Sequence, residues 1–261
     1  MGTVGKALDL LDHFTRLRPV IGLSELARLS GTNKATCFRL MSEMQAFGLV
    51  EQDPDSRDYR LGPAVLRLSA LREAAVPMRD ASRPVLDRLS EATGESAHSS
   101  ILIGDRLQMM DFAYSHRHGT RVIFDDTDTL PFHATSSGLA VLAFLPEAMR
   151  DKVLSAPLPP VTRHTQTDAS LLRASLAGIR RCGFAEVDGG FETDVTGIAV
   201  PLFGPRGDCL GAVAVAAPSG RMTPALRSEI LGALMIAGAE IIALWGGALP
   251  PEIATLWRDA A

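Results

Sequence analysis

The sequence predicts an α+β protein with an N-terminal winged helix-turn-helix domain, a linker helix, and a C-terminal domain built on an antiparallel sheet. Short helical patterns fill the first part of the chain, and glycines at positions 22, 31 and 48 separate them. Hairpin-linked strand patterns flanked by helices follow, without the long crossovers that parallel strands require. The expected boundaries are residues 1–62, 63–77 and 78–261.

Composition places the chain among ordinary globular proteins. It has 261 residues, of which 46% are hydrophobic and 21% are charged, so a sizeable core can form. Its three cysteines form no CxxC pair, which favours a reducing compartment and no disulfide. The N-terminus is typical of an amphipathic helix rather than of a signal peptide, so we expect a cytoplasmic location.

One segment, from Leu231 to Pro250, is long enough to be considered as a membrane span. Glu240 lies at its middle, and glycine and alanine dilute its hydrophobicity. A helix buried against a sheet is the better interpretation, and we expect no membrane partner.

The N-terminal elements are expected to be short. Helices are predicted at residues 4–17, 24–29 and 34–47, followed by a hairpin with strands at 49–52 and 59–62. Pro63 then begins a helix that runs to about Val76, because the first turn of a helix does not need the N–H group that proline lacks. Pro77 ends this helix.

The third helix has an unusual outer face. At about 100° per residue, its apolar stripe consists of five residues, Cys37, Leu40, Met41, Met44 and Phe47. Phe38 and Arg39 point the opposite way. An aromatic ring directed away from the core either packs against another part of the protein or contacts a binding partner.

A helix, a turn, a second helix with a polar N-terminus and a hairpin together form a winged helix-turn-helix, whose second helix enters the major groove of DNA. Ser24 is expected to cap the first helix of the pair, and Gly31 to turn the chain. Residues 1–90 contain 13 basic and 11 acidic residues, whereas the remainder contains 13 and 19. This asymmetry permits a double-stranded DNA partner at the front of the chain.

Five residues of the second helix are candidates for DNA contacts. Asn33 begins the helix, and Lys34 and Thr36 suit the phosphate backbone. Arg39 can reach a guanine with both arms of its guanidinium group. The ring of Phe38 can lie against a thymine methyl group, or alternatively it folds back over the helix or meets the wing.

The hairpin and the linker helix carry further candidates. Arg57 and Arg60 suit phosphate or minor-groove contacts, unless they pair with nearby aspartates at positions 53, 55 and 58. The linker helix repeats apolar residues at helical spacing, and these form either a contact between subunits or a contact within one chain: Val65, Leu68, Leu71 and Ala75. The first alternative predicts a homodimer.

The C-terminal elements mix helices with strands. Helices are predicted at residues 81–93, from about 136, at 168–182 and from 223 onward. Strands are predicted at 95–103, 106–115, 121–126, 196–203 and 209–217.

These patterns resemble the isocitrate lyase regulator (IclR) family of bacterial transcription regulators. The resemblance covers nearly the whole chain, from VGKALDLL through the helix-turn-helix and wing to LPFHATSSGLAVLAFLP and GIAVPLFGPRGDCLGAVAVAAP. The order and spacing of these motifs together carry it. The family implies a GAF-like effector domain, dimers or dimers of dimers on palindromic operators, and control by a small metabolite, often a carboxylate or an aromatic compound.

The segment HATSSGLAVLAFLP predicts a helix with small hydroxyl residues at its N-terminus. Free N–H groups there favour a carboxylate, although plain capping explains the same residues. In similar regulators this loop lines the effector pocket with an acidic stretch, here DGGFETD, and two strands. The resemblance therefore implies nine effector-site residues: Ala134, Thr135, Ser136, Gly138, Glu192, Gly197, Ala199, Ala214 and Ala216.

Two departures from the family pattern bear on the ligand. Gly197 stands where the family often has cysteine, and Ala214 and Ala216 stand where two serines commonly point inward. These residues offer space but no side-chain hydrogen bond, so we expect a larger and more apolar pocket. The expected effector is a carboxylate with an apolar or aromatic body.

The alternative is a hydrolase-like or metal-binding enzyme domain fused to a DNA-binding module. His133 with Ser136 or Ser137 suggests a triad completed by Asp111 or Asp125, but no GxSxG motif is present. Metal ligands are available at histidines 116, 118, 133 and 164 and at cysteines 182 and 209, without HExxH or paired CxxC motifs. Phosphate and dinucleotide loops are absent from the sequence. We therefore expect no enzyme, no metal and no cofactor.

Overall fold

A computed structural model describes residues 2–15, 18–75, 78–124 and 129–260, without the side chains of residues 69, 72–75, 259 and 260. The chain forms two compact units, Met1–Pro77 and Met78–Ala261. The α+β class and the antiparallel sheet are confirmed. Four residues used in the sequence predictions, Leu17, Val76, Pro77 and Asp125, lie outside the described residues, as does the side chain of Ala75.

The first unit is a winged helix-turn-helix followed by a helix. Its elements, in chain order, are α1 (Thr3–Leu11), β1 (Val20–Ile21), α2 (Leu23–Leu29), α3 (Lys34–Ala46), β2 (Val50–Gln52), β3 (Tyr59–Leu61) and α4 (Pro63–Ala75). The three strands form an antiparallel sheet in the order β1-β3-β2. The sequence pattern missed β1, because a strand of two residues shows no alternation.

The core of the first unit explains the pattern of α3. Cys37, Leu40, Met41 and Met44 are buried together with residues of α1, α2 and the wing, as predicted. Phe47 is 75% exposed, so its place in the apolar stripe is wrong. The helix ends at Ala46, and the backbone of Phe47 leaves the helical conformation, so the helical phase no longer holds there.

The ends of the helix pair differ in part from the prediction. Gly22 occupies the N-cap position of α2 and no side chain caps this helix, so the predicted cap by Ser24 is wrong. Gly31 turns the chain with a backbone φ of +63°, a conformation that favours glycine. Helix α1 ends at Leu11, earlier than the predicted residue 17.

The second unit contains a five-stranded antiparallel sheet in the order β5-β4-β8-β7-β6. Its helices, in chain order, are α5 (Met78–Thr93), α6 (Ser136–Phe144), α7 (Glu147–Ser155), α8 (Ala169–Cys182), α9 (Pro224–Leu244) and α10 (Pro251–Ala260). Its strands are β4 (Ser96–Ile103), β5 (Arg106–Ala113), β6 (Ala185–Asp188), β7 (Val195–Phe203) and β8 (Cys209–Pro218). Helix α10, helix α7 and strand β6 were missed by the sequence patterns.

Helices cover both faces of this sheet. Helix α9 packs with α5 on one face, where Gly238 lies against Val200 of β7. Helix α6 lies on the other face, where the hydroxyl group of Ser136 stands above Gly197 of β7. None of the described helices is long and apolar enough to cross a membrane. Helix α9 ends at Leu244, and Glu240 pairs with Arg88 at 2.6 Å.

The predicted strand at 121–126 is wrong for the part that the structure describes, since residues 121–124 are irregular. Side chains satisfy the backbone of this segment. Ser96 Oγ donates to the carbonyl oxygen of Val122 at 2.7 Å, and the N–H group of Phe124 donates to the Tyr114 hydroxyl at 2.9 Å. An irregular segment with such partners avoids the cost of unpaired backbone groups without a strand ladder.

Helix α6 sits unusually close to the loop before it. A Cβ atom at Gly138 would lie 2.5 Å from the carbonyl oxygen of Pro131 and 2.6 Å from Cα of Phe132. Both are backbone atoms, so neither can rotate aside. Gly138 therefore allows a close backbone approach, which fixes the N-terminus of α6.

We expect Gly138→Ala to destabilise the protein by about 1–3 kcal/mol, because the added methyl group forces the backbone apart. Gly178→Ala is the matched control, since a Cβ atom there meets only the flexible end of Arg181 at 3.9 Å. In helix α8 this control should stabilise by up to about 1 kcal/mol. Urea unfolding measures both changes, and equal stabilisation by the two substitutions would contradict the packing at Gly138.

Candidate functional site

The N-terminus of α3 is capped and faces solvent. Asn33 Oδ1 accepts a hydrogen bond from the N–H group of Thr36 at 2.9 Å, so Asn33 is the N-cap. Lys34 and Arg39 are exposed, and neither has an ion-pair partner among the described residues. Phe38 is 53% exposed. The helix therefore presents two free cations and an aromatic ring on the surface outside its buried stripe.

Phe38 lies beside the wing rather than alone on the helix. It lines an open groove together with Lys34 of α3 and with Gln52 and Arg57 of the hairpin. The ring neither folds back into the core nor becomes buried by the wing. It forms one wall of this groove and remains half-exposed, available to a partner in the groove.

The wing tip is held by a local turn. Asp53 Oδ1 accepts hydrogen bonds from the N–H groups of Asp55 and Ser56 at 3.0 and 2.9 Å. These bonds lower the pKa of the Asp53 carboxyl group. Arg57 follows with a backbone φ of +63°, which is rare for a residue with a side chain.

The two wing arginines differ in their partners. Arg60 pairs with Glu51 on the adjacent strand at 2.5 Å, and not with the three aspartates that the sequence suggested. Arg57 has no ion-pair partner among the residues that the structure describes. Of the two, Arg57 is thus the more available cation.

A cavity of about 70 Å³ lies in the second unit between the N-terminus of α6 and the sheet. Most of its lining is apolar. Six of the nine residues assigned to the effector site line it: Ala134, Thr135, Ser136, Glu192, Gly197 and Ala216. Gly138, Ala199 and Ala214 do not line it. Ala199 and Ala214 are fully buried beneath α6, and Gly138 is packed against the preceding loop.

The N-terminus of α6 contributes residues with unpaired hydrogen-bond donors to the lining of this cavity. Thr135 is the cap, and its hydroxyl oxygen accepts from the N–H group of Gly138 at 2.9 Å. The N–H groups of Ser136 and Ser137 have no acceptor within the described part of the chain. The Ser136 hydroxyl group has no partner there either, although the residue is only 6% exposed. Unpaired donors at a helix N-terminus are suited to an anion.

The space expected above Gly197 is partly occupied. A Cβ atom at this position would lie 2.7 Å from Ser136 Oγ, so the missing side chain makes room for that hydroxyl group. The cavity is also small, since typical sites for drug-sized ligands have volumes of about 300 Å³ or more. In this conformation it has room for a carboxyl group with a few further atoms, and not for the larger body that the sequence suggested.

His98 is a cavity residue that the sequence analysis missed. It lies in β4, is 7% exposed, and its Nε2 atom is 3.0 Å from Ser137 Oγ. Its ring meets Phe124 edge to face, with 4.6 Å between centroids. Burial lowers the pKa of His98 to about 4, so the ring is neutral at physiological pH. A lone histidine within an apolar strand gave no motif that identified it.

Glu192 lines the cavity at its solvent side. Its side chain remains exposed, and partial burial raises the pKa of its carboxyl group. Ile123, which is 60% exposed, lines the same side. The cavity thus has hydrogen-bond donors at its inner end and one carboxyl group at its rim.

The described residues among those suggested for a catalytic triad do not come together. His133 Nε2 contacts the carbonyl oxygen of Pro159 at 2.9 Å. Asp111 is buried and pairs with Arg83 at 2.9 Å and Arg79 at 3.5 Å. Asp125 lies outside the described residues.

The suggested metal ligands are also separate. Among the residues with assigned positions, no three histidine, cysteine, aspartate or glutamate side chains gather as a metal site would require. His116 and His118 are exposed, and Arg163 Nε lies 3.0 Å from the ring of His164. All three cysteines have free thiols.

Comparison with protein families gives two matches that together span most of the chain. Residues 3–54 match the IclR helix-turn-helix domain. Residues 73–243 match the family described as bacterial transcriptional regulator IclR C-terminal. The two matches correspond to the winged unit and to the unit that contains the cavity.

Individual proteins similar to this chain belong to the same family of regulators. A crystal structure of an IclR-type regulator from Silicibacter sp. TM1040 is 54% identical, covers 96% of this chain and 99% of its own, and has a TM-score of 0.91. An IclR homologue from Microbacterium hydrocarbonoxydans, complexed with 4-hydroxybenzoate, is 26% identical, with 93% and 100% coverage and a TM-score of 0.75. The regulator BhcR of Paracoccus denitrificans is 28% identical over 90% of this chain and 84% of its own.

His98 makes stability depend on pH. The unfolded chain protonates this histidine below its ordinary pKa of 6.5, whereas the folded protein protonates it only below about 4. The contribution of neutral His98 to the free energy of unfolding is therefore fully present above pH 6.5. It is lost as the pH falls towards 4, and the loss is on the order of 3 kcal/mol. Urea unfolding of the wild type and His98→Gln measures this loss, and the variant should lack it. If the free energy of unfolding fell equally with pH in the two proteins, His98 would not be buried in the neutral form.

Proposed function

This chain belongs to the IclR family of bacterial transcription regulators, and on that premise we propose that it binds a palindromic operator as a homodimer. We further propose that a small carboxylate in the cavity at α6 modulates this binding. The chain is a transcription regulator and not an enzyme. Because its DNA target lies in the bacterial cytoplasm, we infer that the protein resides there.

The exposed face of α3 supports the DNA-binding role. Lys34 and Arg39 offer positive charge that no described acidic residue neutralises. Lys34 at the first turn suits a phosphate, together with Thr36, and Arg39 further along suits a guanine. Asn33 contributes mainly as the cap that orients this turn. Phe38 supplies an apolar surface for a thymine methyl group.

The wing supports the same role with unequal contributions. Arg57 is free to contact a phosphate or the minor groove, whereas Arg60 would first have to leave Glu51. We therefore expect Arg57 to contribute more to affinity than Arg60.

The surface of α4 supports a dimer. Three leucines on this helix are exposed by 76%, 47% and 58%: Leu66, Leu68 and Leu71. Such apolar side chains on one helix are more often covered by a partner than left in water. A dimer also matches the two-fold symmetry of a palindromic operator, and a dimer of dimers extends this arrangement to two sites.

The unpaired donors inside the cavity are the observation that carries the effector proposal. Ser136 and Ser137 line the cavity, and their N–H groups and the Ser136 hydroxyl group have no partner within the described part of the chain. An anionic acid group satisfies all of them. Glu192 at the rim repels a second anionic group, so we propose a monocarboxylate.

The body of the ligand follows from the rest of the lining. Apolar residues around the donors favour a hydrocarbon or aromatic body. A relative of this chain binds 4-hydroxybenzoate, which has this chemistry. Because the cavity is small, such a body reaches the rim and displaces Ile123 and Glu192 outward. Ligand binding is thereby linked to a change in conformation.

The roles of the two cations in α3 can be separated. Arg39→Ala should relax the preference at one or two base pairs at a cost of roughly 1–3 kcal/mol, because it removes a base contact. Lys34→Ala should weaken binding to all DNA sequences alike. It should also reduce the salt dependence of the affinity by the equivalent of about one phosphate contact. Fluorescence anisotropy with a footprinted operator and its single-base variants measures both effects. A uniform loss in both variants would contradict the base-reading role of Arg39.

A thermal-shift screen tests the effector class on the full chain. Aromatic and medium-chain monocarboxylates should raise the melting temperature more than dicarboxylates or pyruvate, since they fill the apolar lining and avoid Glu192. Ala216→Ser adds a hydroxyl group to the cavity wall. It should reduce the difference between large and small acids in how much they raise the melting temperature. Ala214→Ser is the control, because it lies on the same sheet face outside the cavity. A preference of the wild type for small acids or dicarboxylates would overturn the proposed ligand class.

A further inference from the structure

We propose that the Ser137 hydroxyl group is a specific donor to the acid group of the ligand, and that His98 is the positioning residue that directs it. This inference rests on the proposed effector function. It adds a pair of residues that lie on different elements and that the family pattern did not assign.

The pair lies at the inner end of the cavity. His98 sits in β4 between Phe112 of β5 and Ala214 of β8. Its side chain lines the cavity on the same sheet face as Gly197 and Ala216. Ser137 in the first turn of α6 is 1% exposed and also lines the cavity. The contact of 3.0 Å between Nε2 and Oγ is the only hydrogen bond of either side chain in the described chain.

The neutral imidazole ring has one N–H group and one lone pair. Nδ1 is buried and has no hydrogen-bond partner within the described residues. A buried N–H group without an acceptor is rarer in proteins than an unsatisfied acceptor. The proton therefore belongs on Nε2, which donates to Ser137 Oγ, and Nδ1 keeps the lone pair.

This assignment fixes the direction of the serine proton. Because Ser137 Oγ accepts from His98, its own O–H group must donate elsewhere. No described residue accepts it, and the cavity is the space that remains. The O–H group of Ser137 thus joins the N–H groups of Ser136 and Ser137 in facing the ligand. With these donors at its inner end, the site favours a carboxylate over an amide of the same shape.

The same assignment argues against a nucleophilic serine. A base that activates serine must accept its proton, yet Nε2 already carries one. No carboxyl group contacts Nδ1 among the residues described, so nothing there stabilises a charged ring. The pair is arranged for recognition rather than for acyl transfer.

Nitrogen NMR of the full chain labelled with ¹⁵N-histidine tests the proton assignment without any ligand. At pH 7 the His98 resonances, identified by their loss in His98→Gln, should show a protonated Nε2 and an unprotonated Nδ1. A protonated Nδ1 would overturn the proposed direction of the Ser137 hydroxyl group.

Calorimetric titration with 4-hydroxybenzoate and its neutral isostere 4-hydroxybenzamide tests the recognition step. Ser137→Ala should weaken 4-hydroxybenzoate binding by roughly tenfold or more, since hydrogen bonds to charged groups are the stronger kind, and should affect the amide less. His98→Met should weaken 4-hydroxybenzoate binding by a similar factor. His98→Gln keeps an N–H donor and should therefore retain much of the affinity. Ser175→Ala on the surface of α8 is the control and should change the affinity for neither ligand.

The outcomes distinguish this inference from the proposed function. Unchanged 4-hydroxybenzoate affinity in Ser137→Ala, with stable binding by the wild type, would overturn the role of Ser137 and leave the effector function standing. An equal loss for the acid and the amide would show a packing effect and would also overturn it. If the wild type binds neither 4-hydroxybenzoate nor any other carboxylate of the screen, both the inference and the proposed ligand class fall.

Discussion

The second unit depends on the close contact between the N-terminus of α6 and its surroundings. Gly138 allows the helix to approach the Pro131 carbonyl group, and Gly197 leaves room for the Ser136 hydroxyl group above the sheet. With Thr135 as the cap, the first turn is fixed while two of its N–H groups stay unpaired. The cavity, its donors and its contact with His98 all follow from this placement. A side chain at position 138 would displace the helix, and one at position 197 would push the Ser136 hydroxyl group aside.

Regular patterns in the sequence were sufficient for most of the architecture. The apolar stripe of α3, the hairpin-linked patterns of β7 and β8 and the helical pattern at residues 168–182 each identified an element correctly. Local patterns failed where tertiary contacts decide the structure. Residues 121–124 look like a strand, yet side chains of Ser96 and Tyr114 satisfy their backbone. Phe47 fits the helical stripe, but the helix ends one residue before it.

The candidate sites were predictable to different degrees for the same reason. The exposed cations of α3 lie on one helix, so their exposure outside the buried stripe follows from helical periodicity. The cavity brings together residues from strands and loops far apart in sequence. His98 and Ser137 are separated by 39 positions, and no motif joins them. Their contact became visible only once the order of the strands was known. The family resemblance supplied six cavity residues but not this pair.

A ligand in the cavity regulates DNA binding only if it binds two states of the protein with different affinities. Linkage then requires that the ligand changes operator affinity and that the operator changes ligand affinity by the same factor. The most direct test measures both constants on the full chain, using 4-hydroxybenzoate and a footprinted operator. We expect the two factors to be equal and to differ from one, and we expect both effects to disappear when Ser137→Ala removes the donor. Tight ligand binding in the cavity with an unchanged operator affinity would contradict it.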